Sequence, residues 1–317
     1  MVLLNGCDTT KPNRVIGKVD AEITMATVKD YVEIFLVAIG EVTIDWGDGN
    51  RTADIFDIED FDPNDHEQYK YIRAYNHFYQ IPCSNVISIY GVVTYLVVEG
   101  QGLTELDVTK NKELRILGCG YNQLADLELR NNALLQELHC VDNKIINLNL
   151  SKNPLLRQFI GTANQFIILD FKNNPLLEKI ECIANELIYI DISKNTRLRS
   201  LMCGYNQLTE LDLSKNVMLD FLECSENQLT NLDLKNNVLL EFLICSDNQL
   251  KKLDVSKLDL LHSLTCKSNM LSVTALNDLF VSLNSSTGYK NLYIGNNPGT
   301  GGVDKSIAEA KGWRVYE

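Results

Sequence analysis

Cys119, Cys140, Cys182, Cys203, Cys224, Cys245 and Cys266 lie at multiples of 21 residues from one another, and Gly161 fills the one empty place in the series. A fixed period of this length marks stacked supersecondary units, none of which can bury its apolar face without a neighbour. Frames beginning at Val93, Leu114, Leu135, Leu156, Leu177, Leu198, Leu219, Leu240 and Leu261 give nine turns. The clearest, from Leu198, reads LRSLMCGYNQLTELDLSKNVM.

Each frame holds two similar halves, L-x-x-L-x-C-x-x-N and L-x-x-L-D-L-x-x-N. Within a half the alternation Leu201-Met202-Cys203 or Leu211-Asp212-Leu213 has the period of two of a half-buried strand, with Leu and Cys inward and Met202 and Asp212 outward. Stacked coils of this kind predict two parallel β faces with rungs about 4.8 Å apart and a rod on the order of 40 Å long.

Two asparagine series share the period: Asn122 to Asn269, and Asn111 to Asn237. They fall where each strand turns a corner, and an inward amide can donate to and accept from the backbone groups a corner leaves unpaired. Gln101 and Leu258 depart from the series near its ends, as terminal repeats do. The cysteines read as a buried ladder of small apolar groups. Side chains on adjacent rungs point in parallel, which disfavours the disulfide torsion, and no C-x-x-C is present to suggest a metal site. Asp107, Glu128, Asn149, Asp170, Asp191, Asp212, Asp233 and Asp254 form an outward, mostly acidic row on the second face, with lysines three residues beyond many of them. It reads as a solvated face, with a site for a cation or a basic partner as the alternative.

The repeat pattern resembles the leucine-rich repeats, and specifically their bacterial 21-residue Irreko-type class, over roughly residues 93 to 281. The resemblance implies a mainly β solenoid and, as a function class, adhesion or host and glycan interaction. Leucine-rich repeats are scaffolds with interchangeable faces, so the pattern constrains function weakly.

Ahead of the array, AEITMAT, YVEIFLVAI, EVTIDWG, YKYIRAYNHFY and VISIYG are strand-rich and lack the period. Val42 to Gly49, with Trp46-Gly47-Asp48-Gly49, and Tyr75-Asn76-His77-Phe78-Tyr79 resemble elements of PKD-like β-sandwich domains. Trp46 and His77 are expected in core and corner positions, His77 as a hydrogen-bonded structural group. Residues 54–67, DIFDIEDFDPNDHE, are acidic but lack the ordered ligand spacing of a calcium loop. Leu4-Asn5-Gly6-Cys7 resembles the end of a bacterial lipobox, which would make Cys7 a lipid anchor. Behind the array, Thr274 to Leu283 predicts a helix, Tyr289 to Asn297 half a coil, Asp304 to Lys311 a short helix and Trp313 to Tyr316 a last edge strand. The expected order is a tether (1–18), a small β-sandwich-like domain (19–91), the leucine-rich repeat solenoid (92–281) and a C-terminal α/β cap (282–317).

A formal charge of −13 argues against nucleic acid, and no apolar run reaches the length of a transmembrane helix. His66, His77, His139 and His262 are scattered and no catalytic motif appears, so neither an enzyme nor a cofactor or metal is expected. The outward positions of the first face vary from coil to coil. A variable face on a uniform scaffold is where recognition modules place their contacts. Met202, Phe221, Phe242 and Ile244, flanked by Glu223, predict an exposed apolar cluster that binds a protein or glycan. The expected protein is a non-enzymatic, surface or secreted bacterial binding protein. A structural module without a discrete ligand, or an intracellular effector, is the alternative.

Overall fold

The computed structural model describes residues 22–56, 71–80 and 84–317. Cys7, Cys83 and most of the acidic loop therefore lie outside the described residues. The chain begins with β1 (Ile23–Thr27), β2 (Tyr31–Asp45), β3 (Arg51–Phe56), β4 (Arg73–Phe78), β5 (Asn85–Val97) and β6 (Leu103–Asp107). β2 pairs antiparallel with β3, β4 and β5, and β1 pairs antiparallel with β5 and β6. Trp46 is buried, stacks on His77 at 4.9 Å and donates to Thr52, while the His77 ring nitrogen lies 2.8 Å from Asp48.

β5 does not stop at position 91. It runs on to Val97 and pairs in parallel with the first coil strand, β7 (Ile116–Gly118), so one strand is both the end of the N-terminal unit and the first rung of the array. Its other edge is paired by β2 through Phe35 to Ala38, which removes the free edge that an open solenoid would present.

The first face continues through β8 (Glu137–His139), β9 (Gln158–Ile160), β11 (Lys179–Glu181), β13 (Ser200–Met202), β14 (Phe221–Glu223), β15 (Phe242–Ile244) and β16 (Ser263–Thr265), all parallel and in register. The second face keeps the predicted inward and outward alternation. Among the described residues, however, only β10 (Ile168–Asp170) and β12 (Tyr189–Asp191) form a ladder there. Those two coils carry Ile167-Ile168 and Ile188-Tyr189 where the following ones have Thr209-Glu210 and Thr230-Asn231. The difference lies at the second of the two positions, where Ile168 and Tyr189 favour a pleated surface and Glu210 and Asn231 do not, which fits the ladder forming here.

The inward leucines of the coils are buried, Leu148 only partly, and the seven ladder cysteines are fully buried, all of them free thiols. Burial raises the thiol pKa, to about 12 for Cys140 and Cys266 and well above the ordinary value for Cys119, Cys203 and Cys245. The gap at Gly161 has a steric cause. Phe159, Phe166 and Phe171 occupy inward positions, and a Cβ on Gly161 would collide with the rings of Phe159 and Phe166.

The corners are held by amides. Asn206 donates to the carbonyls of Cys182, Cys203 and Gly204 at 2.9 to 3.1 Å and accepts from the N–H of Leu187 at 2.9 Å. The same four bonds recur at Asn143, Asn164, Asn185, Asn227 and Asn248. The residue before each of these asparagines sits in the left-handed region, from Tyr121 through Ala163, Ala184 and Tyr205 to Ser268. Left-handed backbone costs a non-glycine residue roughly 1 to 2 kcal/mol, so the amide bonds must outweigh it at every coil. The second series differs. Asn216 donates to Ile192 and Asn195, but its carbonyl oxygen is buried without a partner, as are those of Asn132, Asn153, Asn174, Asn195 and Asn237.

The acidic row also closes turns. Asp107, Glu128, Asn149, Asp170, Asp191, Asp212, Asp233 and Asp254 each accept the backbone N–H two residues on. The backbone N–H of Ser214 lowers the Asp212 pKa and that of Ser256 lowers the Asp254 pKa. A depressed folded-state pKa stabilises the fold above the unfolded carboxylate value, about pH 4, and that contribution is lost as pH falls through the folded value. The like-charge repulsion is offset by Lys172 on Asp170 and Lys235 on Asp233, and at longer range by Lys215 and Lys257.

At the far end, α1 (Val273–Ser282) is capped by Ser272, whose hydroxyl accepts from the N–H of Ala275, and buries Leu276, Leu279 and Phe280 in the core. β17 (Lys290–Tyr293) and β18 (Trp313–Tyr316), flanking the short α2 (Ser306–Glu309), extend the first face. Lys290 is almost fully buried and donates to the carbonyls of Ser286 and Lys311 at 2.7 and 2.6 Å.

Asn206→Ala removes four bonds at a buried corner and is expected to destabilise the fold by about 1 to 3 kcal/mol. Gln207→Ala, at the exposed neighbouring position, should stay within about 0.5 kcal/mol of the parent in denaturant melts; equal effects would contradict the corner assignment. In the native protein the seven ladder thiols should resist alkylation at pH 8 and react only after unfolding, which mass mapping of the modified cysteines reads directly.

Candidate binding face

Parallel, in-register pairing stacks equivalent residues of successive coils into columns. Phe221 lies beside Phe242, and Met202, Glu223 and Ile244 lie side by side two residues along. The Phe221 and Phe242 rings have centroids 5.8 Å apart. Phe242 is the most exposed of the set at 37%, while Phe221, Met202 and Ile244 are half-buried.

His262 joins this file, its ring meeting Phe242 edge-on at 4.3 Å. It falls one position before the outward slot, so sequence periodicity leaves it out. The small Ser263, paired with Phe242, leaves the space that the imidazole fills. The column that contains His262 carries ion pairs further up, Arg199 to Asp220 at 3.2 Å and Arg157 to Glu178 at 2.9 Å.

Glu223 has a different role from its apolar neighbours. One carboxylate oxygen accepts from the N–H of Gly204 on the preceding coil at 3.0 Å, the other from the N–H of Ser225 at 2.9 Å. A Cβ at position 204 would strike that carboxylate, so the glycine and the glutamate are a matched pair. Glu223 thus joins two coils beside the phenylalanines, in the outward slot two residues along. The hydroxyls of Ser225 and Ser246, in the next outward slot, are buried without partners.

Among the described residues no group of three or more His, Cys, Asp or Glu is placed to hold a metal ion, and no helix is long and apolar enough to cross a membrane. Cys7, the expected lipid anchor, lies outside the described residues.

Glu223→Ala strands two backbone donors and is expected to cost about 1 to 3 kcal/mol, whereas Glu223→Gln, which keeps an acceptor for one of them, should cost less. Chemical denaturation of both variants checks the order; a neutral Glu223→Ala would release the carboxylate from this structural role.

No family model matches the sequence, and no curated protein matches it. Among solved structures the chain is similar to the functional domain of InlJ from Listeria monocytogenes, which includes a cysteine ladder, with 26% identity and a TM-score of 0.60 over 68% of this chain and 56% of that one. It is also similar to the Leptospira interrogans leucine-rich repeat protein LIC12759, with 18% identity and a TM-score of 0.55 over 66% of this chain and 62% of that one. The leucine-rich repeat domain of APL1 aligns at 22% identity and a TM-score of 0.51, over 60% of this chain and 51% of that one. The chain thus spans less than two thirds of the length of each of these structures. The inward leucine, cysteine and asparagine ladders, stacked at a 21-residue period, make this chain a mainly β, parallel solenoid of the leucine-rich repeat type, with about eleven turns.

Proposed function

We propose that this chain is a non-enzymatic binding protein that holds a partner, most simply another protein, against the first face of its solenoid. The observation that carries the reading is the Phe221–Phe242 pair, two packed aromatic rings held outward on a hydrogen-bonded parallel sheet with Met202 and Ile244 beside them. Rigid aromatic groups lose little conformational freedom on binding, and phenylalanine is among the residues enriched at the cores of protein interfaces. The sheet fixes the rings before any partner arrives. The absence of a catalytic motif in the sequence fits a binding role. A role at the bacterial surface or outside the cell, a glycan as ligand, and the PKD-like character of the N-terminal unit rest on the sequence resemblances alone.

Because β5 crosses the expected domain boundary, the test uses the whole 317-residue chain. Phe221→Ser with Phe242→Ser should reduce binding to protein and glycan arrays at least tenfold, with thermal melting nearly unchanged. Asp212→Asn, on the opposite face, should leave the same binding intact. Undiminished binding in the double variant would move the contact elsewhere. Absence of any ligand for the parent chain would favour a structural module.

A further inference from the structure

A second apolar surface lies on the opposite face, on the coils that make the β10–β12 ladder. Ile146, Ile167, Ile168, Ile188 and Tyr189 are each 41 to 55% exposed. Ile168 pairs with Tyr189 in the ladder, and Ile167 and Ile188 are joined by a backbone hydrogen bond at the preceding position. In the Ile168 column the other coils carry Glu105, Asp126, Asn147, Glu210, Asn231 and Lys252, so the apolar pair interrupts a polar column. It also coincides with the one place on this face, among the described residues, where adjacent coils are locked by strand pairing.

Lys172 already bridges Asp170 and Lys215 lies near Asp212, but the groove beside the patch is acidic. The period of two puts Asp170 on the same outward side as Ile168, and Asp191 on the same side as Tyr189. Next to Tyr189 a groove of about 630 Å³ is lined by Asp191, Glu210, Asp212 and Asp233 and by no basic side chain. Asp233 is bridged to Lys235, but Asp191, Glu210 and Asp212 make no ion pair among the described residues. Asp191 and Asp212 each hold a backbone N–H two residues on, and the Ser214 side chain adds a hydrogen bond to Asp212.

From this we infer that the β10–β12 face is a second docking surface, for a segment of another protein that presents apolar side chains to Ile168, Ile188 and Tyr189 and lysine or arginine to Asp191, Glu210 and Asp212. Charge complementarity selects that occupant. A second copy of this chain, at a net charge of −13, would bring like charge to an acidic groove, and an anionic membrane or nucleic acid would be repelled in the same way. This surface is separate from the phenylalanine face, and its test does not depend on that face.

The probes are two fluorescent twelve-residue peptides, one alternating leucine and lysine and one alternating leucine and glutamate, titrated into the whole 317-residue chain at about 0.15 M salt. The leucine–lysine peptide should bind and the leucine–glutamate peptide should not. Ile168→Ser with Tyr189→Ser should weaken binding at least tenfold. Asp191→Asn with Asp212→Asn should do the same without loss of folding, since Asn149 already closes the equivalent turn with an amide oxygen. Phe221→Ser with Phe242→Ser should leave peptide affinity unchanged, which separates failure of this surface from failure of the first. No binding by the leucine–lysine peptide, or equal binding to parent and to both second-face variants, would overturn the inference. So would sedimentation showing a dimer of the parent that Ile168→Ser with Tyr189→Ser dissolves.

Discussion

The corner asparagine is the interaction on which the rest depends. A coil of 21 residues must turn sharply enough to bring its chain back under the preceding rung, and it does so through a left-handed, non-glycine residue at each turn. That conformation is unfavourable, and the turn strips backbone groups of their partners. One amide answers both costs. Its nitrogen collects carbonyls from its own coil and from the preceding one, and its oxygen holds an N–H of the preceding coil. The bonds join coils as well as closing a turn, so the period of the array and the geometry of the corner are one constraint.

With the backbone repeated in this way, differences between coils can arise only from side chains, and these sort into columns. Some columns serve the fold despite their polar chemistry. The cysteines contribute bulk rather than sulfur reactivity, since burial keeps their thiols protonated. Where a coil uses phenylalanine instead of leucine the cysteine gives way to Gly161, because total volume in the core is what is conserved between rungs. The outward acidic row closes backbone turns, and Glu223 ties two coils together between the apolar Met202 and Ile244. The columns left over are the aromatic file around Phe242 and the isoleucine and tyrosine group on the opposite face, each held by a paired strand ladder.

Much of this was legible in the sequence, because a repeat displays one constraint many times. The inward leucines and cysteines, the asparagine corners and the alternation of the first face all follow from spacing. So does the C-terminal helix, expected over 274–283 and found over Val273–Ser282. The candidate site was legible only as positions. That Phe221 and Phe242 are neighbours follows from the period, whereas the contact of His262 with Phe242 depends on the space above Ser263.

Sequence alone determined the period, the side of each coil that a residue faces and the chemical character of each column, since all three are fixed by local spacing and side-chain type. Tertiary structure decided what spacing cannot encode. Among the described residues the second face forms a ladder only where Ile168 meets Tyr189 across coils, β5 belongs to both the N-terminal unit and the array, and the Glu223 carboxylate is held by amides of two different coils. Each of these depends on groups far apart in the chain being brought within hydrogen-bonding distance, and only the completed stack of coils does that.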